Sequence, residues 1–160
     1  MWRATIFHAQ SVHFPVALLI TGSILWAVAL PVKNGRGTFL ENSGQLLVTL
    51  GTLAAWLAVL TGSLAEGDVA RTICDPTVLK AHEQNAWVVA WVFSGATLLL
   101  GFLKFGKTTA LPRKLFYALL LVLLITGTGF LVYTGSLGGK VVYQMGGGVY
   151  QPSADCNEFE

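Results

Sequence analysis

The stretch LFYALLLVLLITGTGFLVYT, residues 115–134, decides the fold. A helix needs roughly 20 mostly apolar residues to cross a hydrocarbon layer. In lipid the backbone must satisfy its own polar groups, so such a stretch is helical. Working outward, three more segments qualify. One runs from about Ser11 to Val32 and one from about Gln45 to Ala65. The third has its apolar part from Ala86 to Leu103. No segment shows the sustained period-two alternation of a membrane β-barrel. The predicted fold is all-α: a membrane four-helix bundle built from two helix hairpins. Residues 1–137 form the bundle and residues 138–160 a Gly-rich tail.

Composition agrees. Hydrophobic residues make up 54% of the 160 and charged residues only 11%. A soluble domain carries about 25% charge to cover its surface. The net charge of +2, with no basic stripe, argues against nucleic acid as a partner. Met1-Trp2-Arg3 precedes an apolar run as in a secretory signal, but the run from Val12 to Val32 is too long for one. It ends in Pro31-Val32-Lys33 rather than at a small-residue cleavage site, so it reads as a retained helix.

Short connections make consecutive helices antiparallel neighbours. Lys33, Arg36, Lys104, Lys107, Arg113 and Lys114 fall at the two hairpin tips, and Arg3, Arg71, Lys80 and Lys140 at the opposite end. The positive-inside rule then puts the tips in the cytoplasm and both termini outside. Cys74 and Cys156 both fall on that outer side, where a disulfide between them suits an oxidising compartment. It would close a long loop, worth about 4 kcal/mol in the chain-entropy model. The alternative is two unrelated thiols.

The hairpins resemble each other. Thr61-Gly62-Ser63-Leu64 closes the second helix and Thr134-Gly135-Ser136-Leu137 closes the fourth. His8-Ala9-Gln10-Ser11 precedes the first helix, and His82-Glu83-Gln84-Asn85 precedes the apolar part of the third. Such spacing predicts two hairpins related by a pseudo-twofold axis along the membrane normal. Gly51, Ala55, Ala58 and Gly62 form a small-residue stripe on the second helix. It either lets helices approach closely or makes room for a flat cofactor.

All three histidines, His8, His13 and His82, fall on the outer side. Asp75-Pro76 reads as an N-cap followed by proline at the first helical position. The third helix, from Pro76 to Lys104, is then about 43 Å long at 1.5 Å per residue, with His82 near the membrane boundary. His13, in the first turn of the first helix, lies at similar depth. Ionisable groups in membrane helices are functional candidates, and paired imidazoles in a helix bundle suit haem iron. His13 with His82 is the first choice of axial pair, and the repeat argues for His8 with His82. Zinc, which wants four tetrahedral ligands, fits less well. The plain reading is three hydrogen-bonded interfacial histidines.

The opening His8-Ala-Gln-Ser-Val-His13-Phe-Pro-Val-Ala-Leu resembles the H-P-x-x-V-H-F-P-[IV]-A-L start of the bacterial domain-of-unknown-function 2231 membrane proteins. The ending, Gly138-Gly139-Lys140-Val-Val-Tyr143-Gln-Met145-Gly146-Gly147-Gly148-Val149, resembles that family's G-G-x-L-V-Y-x-H-G-x-G-V. Members occur alone or fused to c-type cytochrome domains. The resemblance implies haem b, one or two, in respiratory or photosynthetic electron transfer. Membrane quinone, a periplasmic c-type cytochrome and other membrane subunits would be the partners, beside membrane lipid. Two departures stand out: Ala9 replaces a proline and Met145 replaces a histidine. Met145 is either a changed axial ligand, which would raise the haem potential, or the trace of a lost second site. The Gly-rich tail reads as a lid over the outer face. The chain shows no nucleophile–base set and is not read as an enzyme by itself. A cofactor-free structural or assembly subunit of a membrane complex is the rival reading.

Overall fold

The computed structural model describes residues 4–106 and 110–149. Five helices make four spans. Helices α1 (Ala4–Ser11) and α2 (His13–Ala29) together form the first span; α3 (Gly35–Ala70), α4 (Pro76–Phe105) and α5 (Ala110–Tyr143) are the others. Each span is long and apolar enough to cross a membrane. No strand occurs among the described residues.

The break at Val12 has a local cause. Pro15 has no N–H to give the Ser11 carbonyl, and its ring crowds that carbonyl. The flanking bonds survive: Val12 N–H donates to His8 O at 3.1 Å and Val16 N–H to Val12 O at 3.4 Å. The first span therefore loses a hydrogen bond there without ending.

Helix starts follow capping chemistry. Asp75 accepts from the Thr77 N–H at 2.9 Å and the Thr77 hydroxyl at 2.6 Å, with Pro76 in the first turn, as the sequence predicts. Asn34 caps α3, accepting from Arg36 N–H at 3.0 Å and Gly37 N–H at 3.4 Å.

The helices outrun their apolar parts. α3 begins at Gly35 and ends at Ala70, beyond the expected Gln45–Ala65. The fourth span, expected to end near Thr134, runs on through Gly138-Gly139 to Tyr143. The first residues of the expected tail are thus helical. Gly146, at φ 65°, turns the chain out of the helix, the usual role of a glycine in the left-handed region. Beyond it Gly147 lies against Val141 and Val69, and Gly148 against Thr5 and Val69. The turn therefore folds back over the ends of α3 and α1. Residues 150–160 lie outside the described residues, so the Cys74–Cys156 pairing does too. Cys74 is exposed in the α3–α4 turn.

The strongest packing is within the hairpins, α2 on α3 and α4 on α5. α3 on α4 joins the hairpins, and a light contact between α2 and α5 closes the ring. In lipid the driving force between helices is close packing and interhelical hydrogen bonding. Gly22 and Gly44 bring α2 and α3 together. A Cβ on Gly44 would stand 2.7 Å from the Trp26 backbone nitrogen, and one on Gly22 would stand 2.8 Å from that of Val48. Leu19, Trp26, Val48, Phe93, Leu120 and Leu124 are fully buried between the spans. Hydrogen bonds cross the core from Thr52 to Thr97 at 2.9 Å and from the Trp56 indole to Ser94 at 3.0 Å. Large apolar side chains such as Leu57, Leu98 and Ile125 are exposed, as lipid-facing positions should be.

Candidate functional site: a histidine pair between the hairpins

At the end of the bundle opposite the hairpin tips, the two hairpins each contribute one histidine. His8 comes from α1 and His82 from α4. Their ring centroids are 6.3 Å apart and their planes are 81° apart. The backbones of α1 and α4 share no close approach among the described residues. The imidazoles reach across the space between them.

Each ring is held by a threonine from the next span of its own hairpin. His8 Nδ1 lies 3.2 Å from Thr61 Oγ1, and His82 Nδ1 lies 2.9 Å from the Thr134 carbonyl oxygen. These are the threonines of the repeated Thr-Gly-Ser-Leu. The carbonyl partner fixes the tautomer of His82. A carbonyl oxygen only accepts, so His82 Nδ1 carries a proton and donates. Thr61 Oγ1 also donates to the Ala58 carbonyl at 3.0 Å, and that carbonyl lies beside the His8 ring as well. Ser11, buried beside it, donates to His8 O at 3.0 Å and lies 3.0 Å from Thr61 Oγ1. In the neutral His82 ring Nε2 then keeps its lone pair, and it has no hydrogen-bond partner among the described residues.

Glycines make room for the rings. A Cβ on Gly62 would stand 3.0 Å from His8 Cε1, and a Cβ on Gly138 would stand 3.0 Å from His82 Cε1. Gly138 lies one turn past Thr134, so the Thr134 carbonyl stays open to the His82 ring. The small-residue stripe on α3 therefore divides. Gly51 accommodates Leu19, whereas Gly62 accommodates His8. The repeat is matched in position but not atom for atom. One threonine uses its hydroxyl and the other its carbonyl, with the Thr134 hydroxyl donating to Phe130 O at 2.7 Å.

His13 is exposed. The first-choice pair, His13 with His82, is not assembled; the pair favoured by the repeat is. Five residues turn an α-helix by about 140° beyond a full turn. When His8 faces α4, His13 looks away from it. Met145 packs with Val69, Ile73, Val141, Val78 and Leu79 in an apolar cluster near this end. Glu66, Lys80 and Glu83 add an exposed ion-pair group, with Lys80 Nζ 2.6 Å from Glu83 and 3.9 Å from Glu66. Exposed pairs of this kind contribute little to stability.

No group of three or more His, Cys, Asp or Glu suited to a metal ion occurs among the described residues. A metal needing four protein ligands is poorly served here. Two imidazoles suit an iron whose remaining ligands come from a macrocycle.

The fold and site define a class: a four-span membrane bundle of two hairpins, joined at one end by a histidine from each. The chain belongs to the DUF2231 family, described as predicted membrane proteins, whose family model matches residues 5–151. No curated protein and no solved structure matches it.

Proposed function

We propose that this chain is a b-type haem-binding subunit for electron transfer, with His8 and His82 as axial ligands of one haem. One observation carries the reading: two imidazoles from different hairpins stand with ring centroids 6.3 Å apart, each with Nδ1 engaged by the neighbouring span. A bound haem would supply a one-electron couple whose potential depends on ligand and burial. The chain's own residues orient the rings and hold the tautomer of His82. Thr61 and the Thr134 carbonyl act on Nδ1, while Gly62 and Gly138 admit the rings. Hydrogen bonds of this kind raise the basicity of a ligating imidazole.

In this reading the protein sits in the bacterial inner membrane with both termini periplasmic. Electrons would pass between membrane quinol and a periplasmic c-type cytochrome, within a complex completed by other membrane subunits. The Lys and Arg excess at the hairpin tips supports that orientation.

The test is a reduced-minus-oxidised visible spectrum of the purified protein. A b-type α-band is expected. His8→Ala and His82→Ala should each abolish the low-spin signature while keeping helical content, and His13→Ala should retain it. A wild type without haem, or His8 and His82 variants with an unchanged spectrum, would leave the structural-subunit reading in its place.

A further inference from the structure

At the hairpin tips, far from the histidines, a second polar site joins the hairpins. Tyr117 on α5 donates its hydroxyl to Glu41 Oε1 on α3 at 2.7 Å. Trp26 packs on the Tyr117 ring at 5.5 Å between centroids. The Arg113 guanidinium stands 5.7 Å from the Tyr117 ring centre, with one nitrogen 3.5 Å from the hydroxyl. Between these groups lies a cavity of about 280 Å³, which Asn42 and Lys104 also line. A second cavity of about 370 Å³ adjoins it and shares Glu41 and Tyr117.

We propose that this site binds the headgroup of a phospholipid carrying both a primary ammonium and a phosphate, that is, phosphatidylethanolamine. Three observations lead there. The first is depth. Glu41 and Thr61 are about 30 Å apart along α3 at 1.5 Å per residue, which is the thickness of the hydrocarbon. The buried Thr52 and Phe93 of the core lie between them. With the histidine pair at one boundary, Glu41 stands at the other, where headgroups lie.

The second is charge. The cavity presents one carboxylate against two cations, Lys104 and Arg113. Glu41 Oε2 has no hydrogen-bond partner among the described residues. It is placed to accept from an ammonium, while Arg113 and Lys104 donate to a phosphate. A purely anionic headgroup would meet the Glu41 charge, and a quaternary ammonium has no N–H to donate. The third is size. The cavity of about 280 Å³ and the adjoining one of about 370 Å³ give room for a polar headgroup. Basic pockets between membrane helices commonly take lipid headgroups. The carboxylate within this one selects among them.

The experiment is native mass spectrometry of the delipidated full chain, titrated separately with phosphatidylethanolamine, phosphatidylglycerol and phosphatidylcholine of the same acyl chains. Phosphatidylethanolamine should be retained more strongly than either competitor, by roughly tenfold if one charge-assisted hydrogen bond decides. Glu41→Gln should erase the preference over phosphatidylglycerol. Arg113→Gln should weaken both lipids. Equal retention of the three lipids by the wild type would overturn the proposal, and needs no variant to fold. A wild-type preference for phosphatidylglycerol would overturn it too, leaving only a general attraction of anions to the basic tips. So would an unchanged preference in a Glu41→Gln protein of wild-type helical content.

Discussion

A threonine carbonyl determines which nitrogen His82 presents. Because the Thr134 carbonyl can only accept, nitrogen-15 spectra of the haem-free protein should show His82 in the Nδ1–H tautomer. A signal from Nε2–H in that ring would contradict the assignment. Thr61→Val keeps the shape of the side chain and removes the hydroxyl. Losing the partner of a half-buried ring nitrogen costs about 1 kcal/mol, so the unfolding free energy should fall by about that much. If haem is bound, its potential should rise, since a less basic imidazole stabilises the oxidised iron less. Asp75 is a separate case, at the start of α4. Hydrogen bonds from the Thr77 hydroxyl, and then the Thr77 N–H, hold its carboxyl below the usual carboxylate value. Its folded pKa is depressed, so its contribution is complete above the ordinary value of 3.8. That contribution is lost as pH falls through the lowered value. Amide exchange at Thr77 and Val78 should therefore accelerate on acidification in the wild type. In Asp75→Ala it should be fast at every pH, beyond the intrinsic pH dependence of exchange.

Among the elements, the hairpin of α2 and α3 depends on backbone contact that only glycine permits. Gly44→Val would drive a side chain into the backbone at Trp26. Overpacking of this kind costs roughly 1–3 kcal/mol. Gly129→Ala, where nothing lies within 4 Å of the added carbon, should behave as wild type in the same unfolding assay. Equal behaviour of the two variants would mean that the close approach is not rigid. Helix ends were less legible than helix centres. An apolar window detects only the part of a helix in hydrocarbon, so the polar ends of α3 and the last two turns of α5 escape it. The Asp75-Pro76 start was readable because its signal is local. The Asn34 cap of α3 is equally local, but it lies well ahead of Gln45, where the apolar window that marks the second span begins.

At the scale of the molecule, two polar clusters stand at opposite ends of one apolar bundle, each joining the two hairpins. The orientation proposed for them can be tested with reporters. One fused at Gly35 should be cytoplasmic and one at Glu160 periplasmic. The reverse result would put Cys74 and Cys156 in a reducing compartment and remove the basis for their pairing. Non-reducing peptide mapping tests that pairing directly. A linked Cys74–Cys156 peptide is expected, whereas two freely alkylated thiols would count against it.

Apolar length determined the four spans from sequence alone, because twenty residues without charge have no other stable place. The paired Thr-Gly-Ser-Leu segments and the histidines ahead of each hairpin also marked the end where the site lies. Depth is a property of position along a helix, so sequence can carry it. Facing depends on how helices rotate against one another, and packing sets that. Packing of the first span places His8 beside His82 and leaves His13 outside. The same packing brings Glu41 to Tyr117, residues far apart in the chain whose meeting no local pattern could announce. Only the tertiary structure could choose between His8 and His13, because a helix presents every face in sequence and buries only some of them.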